Sequence, residues 1–112
     1  MIDLAPDQLA IVCRLLAELV PECEASAFGS RVTGKAKPYS DLDIVLLGPA
    51  RLPFGRLAAL REAFAESKLP IRVDVLDWHA LSEPFRNTIA AQCEALPNPS
   101  PTRATSPGSS SP

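Results

Sequence analysis

The chain has 112 residues, room for one small domain with a thin core, and its 46% hydrophobic content excludes a wholly disordered chain. A formal net charge of −2 supplies no basic field for free nucleic acid, so no direct nucleic-acid binding is expected. No stretch approaches the ~18 apolar residues of a membrane span, and Met1-Ile-Asp-Leu4 lacks a basic leader, so a cytoplasmic protein without membrane contact is expected.

Leu9, Val12, Cys13, Leu16 and Leu19 recur at helical spacing behind Pro6-Asp7, and Pro21 ends that helix. A short strand is predicted at residues 25–28, followed by a glycine-punctuated loop from Gly29 to Ser40. Residues 42–47 form a strong strand closed by Gly48-Pro49. Leu57, Leu60 and Phe64 mark a second helix over residues 53–67, and residues 71–76 alternate apolar and polar like a half-buried strand. Phe85, Ile89 and Cys93 mark a third helix, with Ser82 as N-cap and Pro84 in its first turn. The result is an α/β (α+β) domain over residues 1–96, its helices packed on one face of a short mixed sheet with the other face free. Residues 97–112 are rich in proline and serine, hold no apolar side chain larger than Ala104, and are expected to form a disordered tail. Cys13, Cys23 and Cys93 are scattered, which argues against a disulfide framework or zinc site. Cys13 and Cys93 are expected as small core residues on apolar helical faces.

The chemistry concentrates between Phe28 and Leu47. Asp41 and Asp43, two apart at the start of a strand, point their carboxylates to one face, while Leu42 and Ile44 point to the other. Such a pair repels itself and suits Mg²⁺, and two ions so held can clamp both oxygens of a phosphoryl displacement. Alone, the pair better fits a solvated strand end with two surface aspartates. Upstream, Gly29 lets backbone N–H groups approach a polyphosphate, Ser30 adds a hydroxyl, and Arg31 offers either a fork for phosphate oxygens or a solvent-facing charge. Gly34, Lys35 and Lys37 continue a flexible basic loop towards the acidic pair. Val73 and Val75 face the core in the later strand, so Asp74 faces away and could direct the proton of an incoming hydroxyl if the two strands are neighbours. A salt bridge with Arg72 is the plainer role for Asp74. Asp77 is a rival that falls on the core side. His79 reads as a surface or packing residue, and Tyr39 as loop packing or a flank to the nucleotide.

Gly29-Ser30, ten residues, then Asp41-x-Asp43 resembles the G-S-x10-D-x-D signature of the DNA polymerase β-like nucleotidyltransferase superfamily. The fuller run, Gly29-Ser-Arg31 with Gly34 and Ser40-Asp-Leu-Asp-Ile44, is similar to its minimal nucleotidyltransferase branch, the antitoxins of HEPN–MNT toxin–antitoxin pairs. The likeness spans residues 5–96 and departs at Thr33, where many relatives carry a second arginine. It implies a nucleotidyltransferase fold, with ATP as donor held by Gly29, Ser30 and Arg31. It further implies Mg²⁺, two ions in the fullest form, on Asp41, Asp43 and Asp74, and a HEPN-type toxin as the partner that receives AMP. A domain this short leaves no region to hold an acceptor, so a second chain is expected to present it. A non-catalytic antitoxin acting by binding alone, and a small-molecule transferase subunit of the aminoglycoside type, are the alternatives.

Overall fold

Pro6 opens the first helix, α1 (Pro6–Leu19), because its ring fixes a φ that suits a first turn. Gln8 Oε1 accepts the Ala5 N–H at 3.2 Å and secures the helix start. The computed structural model describes residues 2–38 and 40–97. After α1 come β1 (Glu24–Phe28), the single turn α2 (Ser30–Thr33), β2 (Leu42–Leu47), α3 (Phe54–Glu66) and β3 (Val73–Asp77). A 3₁₀ turn (Trp78–Ala80), α4 (Glu83–Ala91) and β4 (Cys93–Ala95) complete the domain. Apart from the exposed Pro97, the expected tail lies outside the described residues. Among those residues no helix is long and apolar enough to cross a membrane.

The four strands form one mixed sheet in the order β3-β2-β1-β4. β2 and β3 are parallel, whereas β1 is antiparallel to both β2 and β4. Strand alternation sends Ala27, Leu42, Ile44, Leu46, Val73 and Val75 to one face, where Val12 and Leu16 of α1 and Leu60 and Phe64 of α3 cover them. Leu42, Ile44, Leu46 and Leu60 are wholly buried, each contributing about 1.5–3 kcal/mol of transfer free energy.

Three expectations need correction. The loop after Gly29 contains the one-turn helix α2, ended by Gly34 at φ +84° in the left-handed region. The third helix stops at Ala91, and the chain then pairs with β1 (Ser26↔Ala95, Phe28↔Cys93). That pairing covers the β1 edge and lets Leu96 bury itself with its N–H on Ala25 O at 2.9 Å. Cys93 is therefore an exposed strand residue, while Cys13 and Cys23 are buried. Finally, the sheet's second face is not wholly free. Phe85 of α4 meets Phe28 edge-on at a ring-centroid distance of 6.4 Å, and Phe28 is the register partner of Asp43, which points away from the core.

Candidate active site

Pairing of β1 with β2 sets Phe28 opposite Asp43, so the next residue, Gly29, lies against the Asp43 carboxylate. Gly29 has φ +81° and ψ −157°, a combination reserved almost entirely to glycine. A Cβ there would sit 2.5 Å from Asp43 Oδ2. Ser30 opens α2 directly after it, and Gly29 O accepts from the Val32 and Thr33 N–H groups at 3.0 and 3.1 Å. The Gly-Ser turn is thus wound tightly over one member of the acidic pair.

The parallel pairing of β2 with β3 does the rest. Asp43 and Asp74 are register partners, and the Leu42 N–H donates to Arg72 O at 2.9 Å at the head of the ladder. Both carboxylates face away from the core, with Asp41 immediately before β2. Asp43 is half-buried, and loss of hydration raises its carboxyl above the ordinary range, followed by the charges of Asp74 and Asp41. The charges of Asp74 and Asp41 are therefore both felt at Asp43. Among the described residues no three His, Cys, Asp or Glu side chains close into a ready metal cage. The donor chemistry still suits a hard cation: Asp43 and Asp74 share one face, Asp41 adds its charge at Asp43, and the half-buried Asp43 carries a penalty that a cation would relieve.

The other nominated residues separate clearly. Arg72 Nε is 3.9 Å from Asp74 Oδ1, with both side chains more than half exposed, so this ion pair is weak and leaves Asp74 available. Asp77 is buried on the core face. Its Oδ2 accepts from the Leu52 N–H at 2.7 Å and its Oδ1 from the His79 N–H at 3.0 Å, so it is a structural brace. His79 itself pairs through Nε2 with Gly48 O at 2.7 Å. Arg31 departs most from expectation. It is only 5% exposed, and among the described residues its guanidinium bonds all go to backbone carbonyls rather than facing solvent. Tyr39 lies outside the described residues. Sequence reasoning missed the Phe28–Phe85 pair that walls the face beside Asp43. Phe28 carried a signal in its place just before Gly29, whereas Phe85 carried none beyond helix periodicity.

The profile of the nucleotidyltransferase domain matches residues 9–96. The chain belongs to this nucleotidyltransferase family. Over 88 residues the sequence is 51% identical to the probable protein adenylyltransferase MntA of Haemophilus influenzae, covering 79% of this chain and 77% of that protein. The fold matches a crystal structure of a toxin–antitoxin with AMP-PNP, with a TM-score of 0.70 and 25% identity over 80% of this chain and 73% of the other. It also matches, with a TM-score of 0.64 and 24% identity over 81% and 70% of the two chains, a complex from Shewanella oneidensis of a tri-AMPylated HEPN toxin with an MNT antitoxin. As a nucleotidyltransferase, the chain has its Gly-Ser turn and its acidic residues on one side of the mixed sheet, and that side carries the candidate chemistry.

Proposed function

We propose that this nucleotidyltransferase moves AMP from ATP onto a side-chain hydroxyl of a protein partner, a HEPN-type toxin that it thereby silences. The observation that carries the reading is the register pair Asp43–Asp74 lying beside the Gly29-Ser30 turn, with Asp41 adding to the same field. The MntA relative, named a probable protein adenylyltransferase, supports a protein acceptor, and the AMP-PNP-containing toxin–antitoxin neighbour supports an adenine nucleotide and a toxin partner. The HEPN identity of that partner rests on the likeness of the signature.

In this reading Gly29 and Ser30 bind the triphosphate through backbone N–H groups and the Ser30 hydroxyl. Asp41, Asp43 and Asp74 hold Mg²⁺, which when bound neutralises charge on the reacting phosphate oxygens. Asp74, the most open member of the register pair, accepts the proton of the acceptor hydroxyl. That oxygen bonds to the α-phosphorus, the bond from the α-phosphorus to its bridging oxygen breaks, and pyrophosphate leaves. Phe28 and Phe85 shield one flank of the site.

Calorimetry with ATP tests the reading first. Affinity should depend strongly on Mg²⁺, and label from α-phosphate-labelled ATP should pass to the partner. Equal ATP affinity in Mg²⁺ and in excess chelator, with no label transferred, would overturn it.

A further inference from the structure

Arg31 stands between the two halves of the signature: it follows Ser30, and its side chain reaches the backbone just ahead of Asp41. Nε and Nη2 donate to Ser40 O at 3.0 and 2.9 Å, and Nη2 also reaches Pro38 O at 3.1 Å and Lys37 O at 3.3 Å. Nη1 donates to Asp3 O at 2.7 Å, while the Asp3 N–H returns a bond of 2.7 Å to Arg31 O. The gripped segment is itself a closed turn, in which the Ser40 N–H donates to Lys37 O at 2.9 Å and the Lys37 N–H donates to Ser40 Oγ at 2.8 Å.

Burying a guanidinium is costly unless its donors are met, and here they are met by carbonyls from two separate segments. A lysine could not reproduce this, since its three donors radiate from one point and cannot span Asp3 O and Ser40 O together. The same side chain that folds under the Gly-Ser turn therefore fixes where the chain enters β2, one residue before Asp41.

We propose that Arg31 is a positioning residue: it ties the Gly29-Ser30 turn to the Asp41–Asp43 strand and so sets the affinity for the divalent cation, without touching the nucleotide. The inference rests on the metal-dependent transfer reading above.

The test uses the full chain as wild type, Arg31→Lys and Ser40→Ala. Mn²⁺ binding is followed by electron paramagnetic resonance without nucleotide, amide hydrogen exchange is read at Ser40 and Leu42, and transfer is titrated separately with Mg²⁺ and with ATP. Loss of a residue that orients metal ligands typically weakens metal binding by about 10–100-fold, and Arg31→Lys should weaken Mn²⁺ and raise half-saturating Mg²⁺ by at least about tenfold. Exchange at Ser40 should quicken, and half-saturating ATP at saturating Mg²⁺ should stay unchanged. Ser40→Ala removes only the Oγ that closes the turn and should act in the same direction, more weakly. A raised ATP half-saturation with unchanged Mn²⁺ affinity would make Arg31 a phosphate ligand and overturn the proposal. A lower melting temperature with both affinities unchanged would also overturn it, leaving a purely structural role. Should Arg31→Lys not fold, unchanged Mn²⁺ affinity in Ser40→Ala decides against positioning. A wild type that binds Mn²⁺ and ATP but transfers nothing defeats the transfer reading alone, and the Mn²⁺ comparison still judges Arg31.

Discussion

Replacing Gly29 with alanine probes the closest approach in the site. The residue sits at φ +81° and ψ −157°, where a side chain is strained, and a Cβ would stand 2.5 Å from Asp43 Oδ2. Backbone strain of this kind costs about 1–3 kcal/mol. For a domain of this size that lowers the melting temperature by roughly 5–20 °C. The clash acts differently, because Oδ2 ends a movable side chain and can retreat by about 1 Å at modest energetic cost, yet a shift of that size at a reacting centre lowers turnover by roughly 100-fold. Gly29→Ala should therefore lose far more activity than its melting temperature explains. Adding Asp43→Ala to Gly29→Ala removes the clash but not the strain, so the double variant should be more stable than the two single effects added together, as expected for residues in contact. Calorimetric melting and label transfer, run on all four proteins, read both arms. Wild-type turnover and melting temperature in Gly29→Ala would refute the reasoning.

Asp43→Asn should abolish transfer and raise the melting temperature near pH 7. The folded state lifts the Asp43 carboxyl above its unfolded value, so the penalty is absent at acid pH and grows as pH rises through the folded value; the stability gap between variant and wild type should widen from pH 4 to 7, and a gap that narrowed would contradict the burial argument. Asp77→Ala orphans the Leu52 and His79 N–H groups and should cost about 1–3 kcal/mol in urea unfolding, with an Mg²⁺ half-saturation like wild type in the folded fraction. Among the thiols, exposed Cys93 should react at once with an aromatic disulfide reagent, whereas Cys13 and Cys23 wait for unfolding. Burial raises the Cys13 thiol and pushes Cys23 up to about 11, and prompt reaction of either would contradict their placement.

Much of the fold was legible because period and punctuation agreed. Residues 42–47 coincide with β2, and α1 and α3 start and stop within a residue or two of the sequence reading. The second half of the chain was harder. Periodicity carried the last helix through Cys93, because a three-residue strand offers no period of its own and β4 exists only through its partner β1. For the site, the alternation of Val73 and Val75 placed Asp74 outward and Asp77 inward, and the burial of Asp77 agrees. Strand parity also explains why Asp43 and Asp74 share a face once β2 and β3 pair. The burial of Arg31 was not legible, for a physical reason. A basic residue beside a Gly-Ser turn suggests phosphate, and nothing local shows that the carbonyls of Asp3 and Ser40 converge on it from distant positions in the chain. For Gly29 the sequence shows a residue open to close approach, but not that Asp43 is the group lying against it.

The most direct test of the proposed protein nucleotidylation is the intact mass of the proposed HEPN-type partner after co-expression with this chain. Wild type should add one or more AMP increments to the partner and suppress its toxicity, and the Asp41→Ala/Asp43→Ala double variant should do neither. Full suppression by the double variant, with no mass added in either case, would contradict enzymatic silencing and make the chain an antitoxin that acts by binding.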